Sequence, residues 1–169
     1  MADIIRVTSI KILGVTITNG LSACMSVITS CAQTLYALRV LRVHGMCQEA
    51  LQTTFRSVTI AKLLYASSAW SRFTKATDRQ RVKGFLRRSI RCGYCLPDFP
   101  TFADQCATAD EKLFDKVCLD NNHVLHCLLP PPTTASQSYN LRPLAHSLEL
   151  PQHSGHLTDS NFITRMLFY

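Results

Sequence analysis

The sequence predicts a mainly α-helical protein that opens with a short β-ribbon and closes with an extended arm. Two patterns indicate this fold class. Between residues 21 and 119, apolar residues recur at steps of three and four, the spacing of one helix face. Before residue 21, runs of Ile and Val are bounded by turn residues, as in short strands. A chain of 169 residues is also long enough to bury a core of its own.

The β-ribbon is predicted over residues 1–20. Residues 4–7 and 10–17 are rich in Ile and Val, and Gly14 lies inside the second run. Asn19-Gly20 follows as a strong turn signal. We therefore expect two short strands ahead of the first helix.

Two long helices are predicted next. The first spans about 21–44 and ends at Gly45, a residue suited to the left-handed position that closes a helix. Its apolar face holds Met25, Ile28, Ala32, Leu35 and Leu38. The second runs from near Cys47 to Trp70, and its apolar face holds Leu51, Phe55, Val58, Ala61 and Tyr65.

A third helix, about 78–92, completes a predicted three-helix bundle over residues 21–96. Thr77 and Gln80 match a capping box at its start. Its inward face holds Val82, Phe85, Leu86 and Ile90, while basic residues repeat every four positions on another side: Arg79, Lys83, Arg87 and Arg91. Because like charges at that spacing repel, the pattern predicts that this stripe binds an anion.

Pro97 and Pro100 mark a predicted boundary, which opens a helical extension over residues 97–132. This extension is expected to contain a helix at 101–119 and a short apolar piece, Val124–Leu129. The apolar face of the helix holds Phe102, Cys106, Ala109, Leu113 and Val117. Asp110 and Glu111 are adjacent on it, so we expect ordinary solvated acids rather than a convergent pair.

Residues 133–169 are predicted to form an extended arm with a terminal helix. Thr, Ser, Gln, His and Pro dominate residues 133–158, with only spaced leucines. Asp159 is the expected cap of a last helix that runs through Phe168.

Charge is distributed unevenly along the chain. Residues 1–95 hold 14 Lys and Arg against 3 Asp and Glu, whereas residues 96–169 hold 4 against 8. A folded segment with such an excess of cations favours nucleic acid or an anionic membrane surface, because Lys and Arg release counterions from phosphate. The alternative is a merely solvated basic face.

A membrane span and a secreted protein are both disfavoured. Residues 12–38 carry no charge, yet Asn19-Gly20 cuts the run and many Ser and Thr residues interrupt it. No secretory leader is recognisable at the start. We expect a reducing, intracellular compartment, nuclear or cytoplasmic, in which the eight cysteines are mostly free thiols.

Catalytic motifs are not recognisable. The sequence has no Gly-rich phosphate loop and no G-x-S-x-G or H-E-x-x-H pattern. Cys92 and Cys95 have zinc-knuckle spacing, and His123 and His126 would complete four ligands, but the pairs are far apart in sequence. Zinc therefore remains an alternative to free thiols and surface imidazoles.

Several segments together resemble the region after the palm in reverse transcriptases of LINE-type, jockey-like retrotransposons, which lack long terminal repeats. Lys11-Ile12-Leu13-Gly14-Val15 is similar to the strand with which that family grips the primer. Two segments look like its thumb helices: Ala61-Lys62-Leu63-Leu64-Tyr65-Ala66-Ser67 with Trp70, and Phe85-Leu86-Arg87-Arg88-Ser89 with Arg91 and Gly93-Tyr94. Four more look like its C-terminal extension: Asp110–Phe114, Leu128–Pro131, Tyr139–Arg142 and Asn161–Phe168.

The resemblance implies a fragment of an RNA-directed DNA polymerase that binds RNA–DNA hybrid or RNA and catalyses nothing alone. The parent enzyme would use magnesium held by palm aspartates in an aromatic-Ala-Asp-Asp turn, which this sequence lacks, and the missing palm would be a partner. The expected nucleic-acid contacts are Lys11, Gly14, Lys62, Arg79, Lys83, Arg87, Arg88 and Arg91. A small helical interaction or zinc-binding module without catalytic activity is the alternative.

Overall fold

The computed structural model describes residues 7–12, 14–19, 24–133, 146–153 and 155–168, without the side chains of residues 24–26. It is mainly helical with a short N-terminal antiparallel ribbon, so the predicted fold class is confirmed. The chain divides into two compact units, Met1–Cys106 and Ala107–Tyr169. The finer limits predicted at residues 20, 96 and 132 stay predictions.

The ribbon is a tight hairpin. Strand β1, Ser9–Ile12, pairs with β2, Val15–Thr18, and Ile12 lies opposite Val15. The prediction of one strand over 10–17 was wrong, because Gly14 adopts a φ of +84° and reverses the chain. Val7 lies outside β1, residues 4–6 and Gly20 fall outside the described residues, and Val15 is buried in the core of the first unit.

Helix α1, Cys24–Val43, ends as predicted. Gly45 has a φ of +89°, its N–H donates to the carbonyl of Arg42, and the N–H of Met46 donates to that of Leu41, both at 3.1 Å. These two bonds are the pair that a left-handed C-terminal glycine permits. Residues 21–23 of the predicted helix lie outside the described ones.

The predicted second helix is interrupted. Helix α2, Gln48–Thr54, continues into a π-helical segment, Phe55–Ile60, and then into α3, Ala61–Leu64. Ala66 then takes a left-handed conformation before α4, Ser67–Trp70. A short 3₁₀ turn, Ser71–Phe73, follows.

The π segment changes which residues are buried. Its hydrogen bonds span five residues instead of four, so each turn holds more residues and the inward face shifts along the sequence. Leu51 and Phe55 are buried as predicted, but Val58, Ala61 and Tyr65 are exposed. The buried face instead continues through Thr59, Ile60, Leu63, Ser67 and Trp70.

Helix α5, Ala76–Arg91, carries the predicted inward face, with Val82, Phe85 and Leu86 buried. The predicted capping box was wrong. Lys75 is the N-cap and makes no side-chain cap bond, so Thr77 already lies within the first turn. Gly93, at a φ of +76°, closes the other end in the same way that Gly45 closes α1.

The core of the first unit is centred on Phe55. Its ring stacks on Phe85 at 6.5 Å and on Tyr94 at 6.2 Å between centroids. Arg42 lies with its guanidinium 4.4 Å from the centre of the Tyr94 ring and donates to the carbonyl of Cys92 at 2.7 Å. These contacts join α1, the π segment and the end of α5, so α5 is held firmly against the core.

Helix α6, Phe102–Leu119, matches the prediction and begins in the first unit. In the second unit, a 3₁₀ turn at His126–Leu128 is followed by α7, His156–Asp159, and α8, Phe162–Leu167, and Pro132 bridges to Leu148. Residues 134–145 of the predicted arm lie outside the described residues.

Two predictions for the second unit were wrong. The N-cap of α8 is Asn161, whose Oδ1 accepts from the N–H of Ile163 at 3.1 Å, and not Asp159, which ends α7. Asp110 is buried rather than solvated, and the guanidinium of Arg165 donates to its Oδ2 at 2.6 Å. Beside them lies a small core of Phe114, Met166 and Leu167.

Candidate nucleic-acid interface

Besides Arg81, helix α5 presents five exposed cations, Arg79, Lys83, Arg87, Arg88 and Arg91. None of them takes part in an ion pair with another residue that the structure describes. Acids are scarce nearby in sequence, since residues 1–95 contain only Asp3, Glu49 and Asp78. Asp78 is buried in the first turn of α5, with Arg81 at 3.8 Å. Among the described residues, the ion pair of α5 is therefore that of Arg81 with Asp78.

The predicted stripe divides between two surfaces. Arg79, Lys83 and Arg87 border an open groove of about 390 Å³, which we call the α5 groove. Arg91 instead lies with Arg88 at a different cavity. A step of four residues exceeds one helical turn of about 3.6, so three steps rotate a stripe by roughly 120° around the axis. The fourth member therefore faces another side of the helix.

The α5 groove is mostly apolar beneath its cations. Leu86 and Ile90 contribute one wall from α5, and the turn into α6 contributes the other with Phe99, Pro100 and Phe102. Thr101 fixes the start of α6. Its hydroxyl accepts from the N–H of Asp104 at 3.2 Å, and its own N–H donates to the Asp104 carboxylate at 3.1 Å.

The second surface lies between α1 and α5 and is called the α1–α5 groove. Arg39 and Tyr36 from α1 border it together with Arg88 and Arg91, around a cavity of about 520 Å³. Sequence reasoning missed Arg39. Arg39 is exposed, whereas Arg42, three residues later, contacts Tyr94 and Cys92, and no local pattern separates the two.

The third surface, the hairpin groove, brings together the remaining predicted residues. Lys11, Gly14 and Lys62 line one open cavity of about 620 Å³, although Lys62 is far from the other two in sequence. The ammonium of Lys62 donates to the hydroxyl of Ser30 at 2.7 Å. Lys62 is thus positioned by α1, while Lys11 projects from the exposed strand β1.

The candidate zinc ligands include a buried thiol and two histidines that make backbone contacts through Nδ1. Burial raises the pKa of the Cys95 thiol to about 11, an effect that Arg56 partly offsets, and zinc binds the thiolate. The Nδ1 of His126 lies 2.8 Å from the carbonyl of Val117, and that of His123 accepts from the N–H of Leu125. Within the part of the chain that the structure describes, no three His, Cys, Asp or Glu residues cluster to hold a metal ion.

Cysteines of the described residues are free thiols. Cys31, Cys47, Cys92, Cys95, Cys118 and Cys127 are free thiols. Burial raises the pKa of Cys31 to about 11, with Lys62 acting in the opposite direction. Burial and the neighbouring Asp115 raise the pKa of Cys118. These three thiols are therefore weak nucleophiles at neutral pH.

The chain matches no protein-family model, no curated protein and no solved structure. Among the helices of the described ranges, none is both long enough and apolar enough to cross a membrane.

Proposed function

We propose that this chain binds an RNA–DNA duplex, as the thumb and extension of a LINE-type reverse transcriptase bind template and primer, and that it catalyses nothing itself. Polymerisation and its two magnesium ions belong, in this proposal, to a palm with an aromatic-Ala-Asp-Asp turn. The sequence segments that resemble the family support the proposal, and so does the distribution of charge over the first unit.

The observation that carries the proposal is the α1–α5 groove. Three arginines, Arg39, Arg88 and Arg91, border it from two helices that the core holds together. Guanidinium groups match the geometry of phosphate oxygens, and cations fixed on a rigid helix bind a duplex backbone without reading its bases. Lys11 and Lys62, in the hairpin groove, provide a second set of contacts for the same backbone.

A salt series tests the proposal. Each phosphate contact contributes about one unit to the slope of log affinity against log salt. The variant Arg88→Gln/Arg91→Gln should therefore lower the slope for a labelled blunt RNA–DNA hybrid by about two, as measured by fluorescence anisotropy. Both side chains are exposed, so the fold should persist.

The matched control removes two exposed helical cations elsewhere, in Lys112→Gln/Lys116→Gln on α6. This variant has the same net charge as the first and should keep the slope of the unaltered chain. If both variants change the slope equally, binding depends on total charge and the assignment to the α1–α5 groove is wrong.

A further inference from the structure

The α5 groove has a feature that binding to a duplex backbone does not require. Three cations line the groove, but its other lining residues are mostly apolar and include two aromatic rings, Phe99 and Phe102. A phosphate backbone needs donors and charge, and it gains nothing from phenylalanine. The groove is therefore suited to a ligand that carries phosphates beside a flat apolar group.

Phe102 is held in place before any ligand arrives. Its ring stacks on Trp70 at 6.0 Å between centroids and 26° between planes. Trp70 is only 3% exposed, and its indole N–H donates to the carbonyl of Tyr65 at 2.9 Å. A ring that is already ordered loses little conformational entropy when a second flat group stacks near it.

The cations are spaced along the groove rather than clustered. Arg79, Lys83 and Arg87 follow one another at four-residue steps, which on a helix is a rise of about 6 Å per step. Successive phosphates of one nucleic-acid strand are separated by a comparable distance. The volume of about 390 Å³ falls within the range of roughly 300–1,000 Å³ that is usual for small-molecule sites.

We infer that the α5 groove holds an unpaired nucleobase of a single strand that flanks the bound duplex. The base lies against Phe102 and Phe99, and its neighbouring phosphates contact Arg79, Lys83 and Arg87. Base stacking on aromatic side chains combined with a cationic edge is the general means of holding single strands. This inference rests on the proposed function and assigns a second part of the template–primer to a separate surface.

The competing occupant is an acidic peptide with an apolar anchor. The nucleobase is favoured because the cations form a row beside the aromatic walls, which matches a strand whose charges repeat at regular intervals. An acidic peptide would contact the same cations, but the affinity of the chain for a hybrid would then not depend on bases in a single-stranded extension.

The test compares three ligands of the purified full chain: a blunt RNA–DNA hybrid, the same hybrid with a short single-stranded extension, and that extension with abasic residues. The extension with bases should bind about tenfold more tightly than the abasic one, because only the first can stack. The two carry equal charge. If they bind equally while the blunt hybrid still binds, this inference fails and the proposed function stands, and a peptide becomes the better candidate for the groove.

Two variants locate the effect. Phe102→Leu keeps an apolar side chain against Trp70 and should remove most of the tenfold preference for bases. Ala103→Glu places a carboxylate in the groove from an exposed position in the first turn of α6, where acids favour helix formation. It should reduce the preference too, whereas Thr108→Glu, further along α6 and outside the groove, should not. If both groove variants retain the full preference, the base lies elsewhere and the inference is overturned.

Discussion

The two units differ in the balance and the surroundings of their charged side chains. Met1–Cys106 holds 14 Lys and Arg against 5 Asp and Glu, and five cations of α5 are exposed without acidic partners among the residues described: Arg79, Lys83, Arg87, Arg88 and Arg91. Ala107–Tyr169 holds 4 against 6, and its Arg165 is buried against Asp110. Arg165 is structural, as Arg42 is in the first unit, whereas the α5 cations are available to a ligand, so total charge alone would not distinguish the two roles.

The largest effect should come from breaking the buried pair. Arg165→Met leaves the Asp110 carboxylate without its donor, and removing one partner of a buried ion pair costs about 3–5 kcal/mol. Urea unfolding should show that loss, while the salt slope for RNA–DNA hybrid at temperatures where the chain stays folded should not change. The double variant Asp110→Leu/Arg165→Met should recover much of the stability. A loss below about 1 kcal/mol in the single variant would mean that the pair is not structural.

The next effect concerns the buried thiols of the first unit. Burial raises the pKa of Cys31 and Cys95 from 9.0 to about 11, so the unfolded chain ionises before the folded one does. Stability is fully present below about pH 9 and is lost as the pH rises through about 11, by on the order of 1–2 kcal/mol for each thiol once solvent screening is allowed for.

Unfolding free energies measured between pH 8 and pH 11 test this expectation. In Cys95→Ala, the fall in unfolding free energy between these pH values should be smaller by the contribution of one thiol. In Cys127→Ala, which changes an exposed position, the fall should equal that of the unaltered chain. A decline that is identical in all three proteins would contradict the assignment to Cys95.

Neutralising α5 should change the stability less than the two tests above, and it should raise the unfolding free energy rather than lower it. Like charges four residues apart destabilise a helix by about 0.2–0.5 kcal/mol a pair. Replacing five of its exposed cations by Gln, at Arg79, Lys83, Arg87, Arg88 and Arg91, should thus raise the unfolding free energy by about 1 kcal/mol. The same variant should lose most of its affinity for the hybrid at physiological salt. Loss of stability together with affinity would show that these side chains are structural.

The sequence predicted the long helices best, because their signals are local. Gly45 ends α1 where its position indicates, and the apolar spacing of α5 places Val82, Phe85 and Leu86 in the core. The π segment was not predictable in this way, since five-residue bonds leave no mark in a pattern searched for steps of three and four. Ala66 was equally hidden, because a left-handed residue is normally expected to be glycine.

The sequence identified individual basic residues of the candidate site, but it did not show how they group into separate surfaces. Each basic residue singled out on α5 is exposed, yet their division between two grooves follows from the helical period and from what packs beside each one. Phe102 was assigned to an apolar core face, and only its contact with Trp70 and its place in the α5 groove suggest a further use. Asp110 needed its distant partner Arg165, which no local pattern connects to it.

The most direct test of the account is the affinity of the unaltered chain for a blunt RNA–DNA hybrid across a salt series, on a sample shown by circular dichroism to be folded. Contacts from Arg39, Arg88 and Arg91, joined by Lys11 and Lys62, predict a slope of log affinity against log salt of roughly −3 to −5. A folded chain that does not bind, or that binds with a slope near zero, would contradict the proposal that this protein grips nucleic acid.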